Sequence, residues 1–105
     1  MEFDLNAIMK QVQNLQSQMK GLQEELASKI VTAESGGGMV TVTMNGRQEI
    51  KQIKLDPICV DPRDIPMLED LIVAAVNQAQ KKSRELANTE MRKLTGGLPL
   101  PFDLF

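Results

Sequence analysis

The 105-residue chain has no histidine, tryptophan or tyrosine, one cysteine and three phenylalanines. Without histidine it lacks the usual general base at neutral pH and the commonest metal ligand, so Ser-His-Asp and Cys-His sites are excluded. The single thiol, Cys59, cannot form an intrachain disulfide; it lies between Ile58 and Val60 with Arg63 as the nearest cation, and the expectation is an inert packed thiol in a reducing cytoplasm. Phe3, Phe102 and Phe105 stand at the two ends, which leaves no platform on which single-stranded nucleic acid would stack. No run of about 18 apolar residues exists to cross a bilayer, and the acidic start Met1-Glu2-Phe3-Asp4 does not resemble a secretion leader. A formal charge of −2 means that any contact with nucleic acid must come from local charge placement.

What is present is the composition of one small soluble domain, 42% hydrophobic and 25% charged. Leu5, Ile8, Val12, Leu15, Met19, Leu22 and Leu26 recur at alternating steps of three and four, which predicts a first helix with a heptad seam. Asp4 or Asn6 caps its start, and the seam is read most simply as packing on a second helix, the alternative being that part of it meets another subunit. Glu24 and Glu25 have the wrong sign for the C-terminal end of the helix dipole, so the last turn is expected to fray.

From Ile30 the period changes. Ile30 to Ala33 and Met39 to Met44 are β-branched runs separated by Gly36-Gly37-Gly38, and Asn45-Gly46 predicts a two-residue turn with positive φ into a third strand, Arg47 to Leu55. In that pairing Ile50 and Ile53 point to opposite faces unless a bulge intervenes. Asp56-Pro57 and Asp61-Pro62 stop the strand. A second helix is predicted from the Asp64-Ile65-Pro66 cap to Leu94, ended by Gly96-Gly97. Leu68, Ile72, Ala75, Val76, Ala79 and Leu86 form its apolar stripe, with Lys81, Arg84, Asn88 and Arg92 opposite.

The fold class is therefore α+β, two long helices flanking a three-stranded antiparallel sheet in the order α-β-β-β-α. Residues 1–97 form one domain and 98–105 an extended C-terminal tail. A 30-residue helix is about 45 Å long, whereas a compact globule of this length has a radius of gyration of about 13 Å. Ser83 and Glu90 interrupt the apolar stripe, so the C-terminal half of the second helix is expected to project into solvent or across another subunit. The two open sheet edges and the long helices together point to a two-fold homodimer.

Among candidate sites, Gly36-Gly37-Gly38 joins two strands and lacks the Gly-Lys-Ser/Thr of a phosphate loop, so it reads as a strand connection. Glu24-Glu25 and Glu69-Asp70 are capping or solvated carboxylates, and no convergent polar constellation suggests an enzyme or a cofactor. Lys81, Lys82, Arg84, Arg92 and Lys93 carry five positive charges against Glu85 and Glu90, a local excess of three in an acidic chain.

The segment TAESGGGMVTVTMNG from Thr32 to Gly46, then IKLDP from Ile53 to Pro57 and LEDLIVAAVNQA from Leu68 to Ala79, resembles the YbaB/EbfC family of bacterial nucleoid-associated proteins. A glutamine-rich first helix containing Met9-Lys10-Gln11 and the GLPLP run from Gly97 to Pro101 extend the resemblance over nearly the whole chain. It implies a non-enzymatic homodimer without cofactor, metal, membrane or small-molecule partner, whose strands associate across the two-fold and whose helices project as arms. It further implies binding of double-stranded DNA with little sequence preference, organisation of the nucleoid in the cytoplasm, and modulation of transcription. Carried onto this chain, the phosphate contacts are Lys10 and Lys20 on the first helix and Lys81, Lys82, Arg84, Arg92 and Lys93 on the second, with Gln13, Asn14 and Asn88 as neutral hydrogen-bonding neighbours. The competing reading is a protein-interaction or scaffolding module that grips another protein through its amphipathic helices.

Overall fold

A computed structural model describes residues 4–94. Helix α1 (Leu5–Ser28) leads into strands β1 (Ile30–Ser35), β2 (Val40–Asn45) and β3 (Ile50–Leu55), and helix α2 (Ile65–Leu94) follows. The sheet has the order β1-β2-β3 with both pairings antiparallel, so the expected α-β-β-β-α arrangement is found. The tail at 98–105, the helix-ending Gly96-Gly97 pair and Met1 to Phe3 lie outside the described residues.

Local chemistry explains where the helices begin. The Asp4 carboxylate accepts from the backbone N–H groups of Asn6 and Ala7, and Asp64 accepts from the N–H of Met67, so each helix starts at an aspartate cap with orphan donors satisfied. The other end of α1, where fraying is expected from the dipole, is tied to the rest of the fold. Lys29 reaches back to Glu25 and across to Glu90, and Leu26 is fully buried, so tertiary contacts hold a turn that the dipole alone would loosen.

The core lies between α2 and one face of the sheet. Val40, Val42 and Met44 alternate along β2 and are fully buried; Ala33 pairs opposite Val42, and Val31 opposite Met44. Ala75, Ala79, Ser83 and Ala87 recur every fourth residue on α2 and are likewise fully buried. Such small side chains let the helix approach closely along its length.

The β2–β3 connection departs from the two-residue turn. Asn45 ends β2, its N–H donating to the Glu49 carbonyl, and the loop spans residues 46–49 with the positive φ at Gln48 rather than at Gly46. Gly46 is glycine for a different reason. Its N–H donates to the carbonyls of Leu26 and Lys29, and a Cβ there would lie 2.9 Å from both the Leu26 carbonyl oxygen and a Leu26 methyl. The end of α1 thus sits directly on the turn. Positive φ occurs instead at all three glycines of the β1–β2 connection, where only glycine adopts it freely.

A bulge then corrects the register. Met44 pairs with Ile50 and Thr43 with Gln52, leaving Lys51 as the extra residue. Ile50, Ile53 and Leu55 consequently lie opposite Met44, Val42 and Val40 and share one face. Helix α2 covers that face over β1 and β2 but stops short of β3, where Ile50 and Ile53 remain 47% and 42% exposed.

Beyond Ser83 the second helix leaves the sheet, as its fading stripe suggests, but it does not enter solvent bare. Ala87 and Met91 pack with Leu22 and Leu26 in a separate cluster flanked by Met19, Leu86 and Leu94, so α1 covers the same helix face that the sheet covers lower down. What stands alone is the first half of α1, exposed from Leu5 to Gln18. The result is an elongated body of 73 × 22 × 18 Å with a radius of gyration of 19.6 Å.

Gly21 offers the contrast to Gly46, because nothing lies within 4 Å of a Cβ placed there. Gly21→Ala should stabilise by up to about 1 kcal/mol through helix propensity, whereas Gly46→Val should cost at least about 1–3 kcal/mol through overpacking against Leu26. Chemical denaturation of the two variants reads both, and the reverse order would contradict the seating of α1 on the turn.

Candidate nucleic-acid interface

Helix geometry sorts the basic side chains of α2 into two groups. At 100° per residue, Lys81, Arg84, Asn88 and Arg92 fall within about 80° of one another, opposite the stripe of Ala79, Ser83, Ala87 and Glu90. All three cations of this row are exposed, and Lys81 and Arg84 make no ion pair or hydrogen bond among the described residues. Lys82 and Lys93 stand on the shoulder between the row and the buried stripe, and both are tied down. The Lys82 ammonium donates to the Thr32 carbonyl of β1 at 2.7 Å, and that of Lys93 to Glu90 at 3.3 Å.

On α1, Lys10 and Lys20 are exposed and ten residues apart, about 15 Å along the axis. Lys20 lies on the part of the helix that α2 accompanies, Lys10 on the part that stands alone. Gln13 and Asn14 are exposed between them, while Asn88 is half-buried. The structure therefore does not gather the seven expected residues into one patch: it forms a row on α2, two tethered shoulders and two separate positions on α1.

Besides Arg63, which is paired with Asp61, three further exposed cations escaped the sequence reading. Arg47 sits in the β2–β3 turn, Lys51 is the bulge residue, and Lys54 pairs opposite Thr41 on the sheet face turned away from α2. Their signal was present as charge, but their places around β3 depend on the bulge. Cys59 is buried, its thiol donating to the Asp56 carbonyl at 3.0 Å, as expected of a packed thiol. Among the described residues no group of acidic or sulfur ligands has the geometry to hold a metal ion, and no helix is long and apolar enough to cross a membrane.

An open cleft of about 560 Å³ between the two helices is lined by Gln18, Gly21, Leu22, Glu25, Glu90, Lys93 and Leu94. At its floor Glu90 is only 6% exposed and accepts from Lys29 at 2.7 Å as well as from Lys93. The hydrogen bond from Lys29 holds the Glu90 carboxyl below its ordinary pKa despite the opposing effect of burial, and the same bond raises Lys29. An ion pair here replaces the apolar contact that the stripe would otherwise make with α1.

A family model described as the YbaB/EbfC DNA-binding family matches residues 1–98. The chain belongs to that family. It is a DNA-binding family and not one of enzymes. A nucleoid-associated protein of Moorella thermoacetica is 53% identical to this YbaB/EbfC chain over 98 residues, covering 93% of it and 94% of the relative. One of Syntrophobacter fumaroxidans is 57% identical over 93 residues, covering 89% and 84%. Among solved structures, an uncharacterized protein of Helicobacter pylori shares the fold with a TM-score of 0.78 at 21% identity, covering 90% of this chain and 99% of its own.

The lowered pKa of Glu90 fixes the sign of a pH effect. A carboxylate depressed in the folded state contributes stability above its unfolded pKa, about 4.3, and loses it as pH falls through the folded value. Glu90→Gln should therefore melt below the parent at pH 7, and the gap should close as the pH is taken well below 4. Melting curves at the two pH values check this; a gap that widens in acid would contradict the pairing with Lys29.

Proposed function

We propose that the chain binds double-stranded DNA as a homodimer, with little sequence preference, and thereby helps to organise the nucleoid. The observation that carries the DNA reading is the row of Lys81, Arg84 and Arg92, exposed opposite the fully buried Ala79, Ser83 and Ala87 in a chain of net negative charge. A cationic row free of the packing face is suited to phosphate, and side chains that reach no base edge read no sequence. Relatives named nucleoid-associated proteins, and the description of the matching family, favour the same ligand. Lys10 and Lys20 extend the contact along α1, while Lys82 and Lys93 contribute from tethered positions. Modulation of transcription follows from occupancy of DNA and requires no further site.

Self-association is supported by the sheet. Strand β3 is an edge with an unpaired side, and the face it shares with the core carries the exposed Ile50 and Ile53. Val60, Ile65 and Val73 add further exposed apolar surface on the segment leading into α2 and on its first turns. A second copy packed there shields apolar surface that a monomer leaves to water, and it satisfies the edge. Light scattering should give a mass near twice 11.7 kDa at micromolar concentration; a mass near the single-chain value would refute the dimer.

The exposed seam of α1 supports a second reading, a scaffold that grips another protein by apolar contact. Salt separates the two. With about four phosphates neutralised, raising salt from 50 to 200 mM should weaken duplex binding roughly a hundredfold, whereas apolar docking is nearly indifferent to it. Replacing Lys81 and Arg84 together by alanine should flatten the salt slope by about 0.9 per lost contact and weaken all duplex sequences alike, with the melting temperature little changed. A double variant with the parent's affinity and slope would remove the α2 row from the interface, and a parent that does not bind duplex DNA would favour the scaffold.

A further inference from the structure

Helix α1 carries its heptad seam through two different surroundings. Met19, Leu22 and Leu26 pack with Leu86, Ala87, Met91 and Leu94 of α2. The two helices run antiparallel there: Lys29 meets Glu90 near the base, and Gln18 and Leu94 line the same cleft further out. Beyond the level of Leu94 the seam continues through Leu15, Val12, Ile8 and Leu5, which are 57%, 49%, 42% and 70% exposed. Four large apolar side chains in line on one helix face form the kind of patch that marks an interaction site.

Charge and register narrow the occupant. From Leu5 to Gln18 the only ionisable residue is Lys10, which stands two residues from both Ile8 and Val12 and hence about 160° around the helix from each. With Leu5 and Val12 at heptad position a and Ile8 and Leu15 at d, the flanking e and g positions are Met9, Gln11, Gln16 and Gln18. Charges at those flanks are the usual means by which a seam selects or rejects a partner, and here there are none to repel an identical helix. The seam is also complementary to itself. Turned end for end about residue 10, it places Leu5 against Leu15 of a second copy and Ile8 against Val12, so every apolar layer finds an apolar layer.

The rest of the fold admits that alignment and blocks the parallel one. A parallel copy in register would continue from its own Leu15 along residues 19–26, where α2 already lies on the seam. An antiparallel copy begins where α2 stops and runs in the direction of α2, carrying its line on to Leu5. By the two-fold, the uncovered stretch of about 15 Å from Leu5 to Leu15 is also the stretch that does the covering.

We propose that the bare half of α1 pairs with the same half of a second copy, antiparallel about a two-fold at residue 10. Leu5 packs on Leu15 and Ile8 on Val12, the exposed Met9 closes one flank, and Lys10 stays on the outside. The contact is shorter than the three or four heptads of an ordinary coiled coil, so it forms above micromolar protein or where molecules crowd along one ligand. It also lies at the far end of the 73 Å body from the sheet, which packs on α2 before Ser83. Pairing of the arms does not require the sheet-mediated dimer proposed above; where that dimer also holds, its members are joined arm to arm into larger assemblies.

Two measurements on the full-length chain test the pairing. Ile8→Glu combined with Val12→Glu sets like charges opposite one another across the two-fold, and neither residue belongs to an apolar cluster of the fold. Light scattering from micromolar to millimolar protein should show the parent climbing past twice 11.7 kDa while the variant stays at twice that mass. If the sheet contact fails and the arms pair, the parent climbs only from one chain mass to two and the variant stays at one. Parent and variant of equal mass at every concentration would overturn the proposal, whatever the sheet does. In the second measurement, Leu5→Cys and Leu15→Cys proteins are treated with a short bis-maleimide, separately and mixed; Cys59 is buried and common to both, so the parent gives the background. The mixture should crosslink at least about tenfold faster than either variant alone, because only positions 5 and 15 are held together. Crosslinking as fast within either variant alone would overturn the antiparallel register, and no crosslink above the parent's background would overturn the pairing itself.

Discussion

Asn45 is the residue on which the helices and the sheet converge. It is fully buried, and its side-chain amide donates to the Ala27 carbonyl at the end of α1 and to Glu49, while its side-chain oxygen accepts from the N–H groups of Arg47 and Glu49. Its backbone carbonyl accepts from the Ser83 hydroxyl of α2 at 2.8 Å, and that hydroxyl in turn accepts from the N–H of Gln48. One amide side chain and one carbonyl thus join the last turn of α1, the end of β2, the loop to β3 and the middle of α2. Each group left unpaired in such a buried place costs about 1–3 kcal/mol, so the network holds only as a whole. Gly46 beside it lets α1 come close enough for the bonds to form.

That junction also divides the molecule into two kinds of core. On the sheet side the contacts are apolar and continuous from Leu68 to Ala79; on the helix-pair side they are a short apolar cluster edged by Glu90 and its two lysines. Ser83 lies at the boundary. Lysines on the shoulders of α2 serve the fold: Lys82 fastens the helix to β1, and Lys93 completes the Glu90 site. Lys81 and Arg84 on the outer face do neither, and this separates the structural charges from two charges available to a ligand.

Periodicity made both helices legible, and short-range chemistry made their aspartate caps legible, because heptad spacing and capping depend on residues a few positions apart. The three strands followed from β-branched runs for the same reason. The β2–β3 turn did not, since Asn45-Gly46 fits a two-residue hairpin locally and is used instead for contacts with residues 18 to 38 positions away. Ser83 and Glu90 looked like a failing stripe because their partners, Asn45 and Lys29, come from other elements. The two-faced appearance of Ile50 and Ile53 depended on a single inserted residue, whose location at Lys51 is set by pairing across the sheet. Of the candidate site, the α2 row was readable from the helical wheel; the tethering of Lys82 and Lys93, and the places of Arg47, Lys51 and Lys54 on the turn, the bulge and the outer sheet face, required three dimensions.

The uneven fastening of α1 has a mechanical consequence. Its last turns are clamped by Leu22, Leu26, Lys29 and the Asn45 junction, while the fourteen residues from Leu5 to Gln18 extend about 20 Å beyond the part that α2 accompanies. A helix held at one end is a lever. A tilt of about 10° at the clamp would carry the far end through roughly 3–4 Å over that length. Lys10 rides on the moving part and Lys20 near the pivot, so the distance between cationic groups on the two helices is adjustable at one end and nearly constant at the other. The gape between the free end of α1 and α2 is therefore governed by the small contacts at the base of α1 rather than by any rearrangement of the sheet.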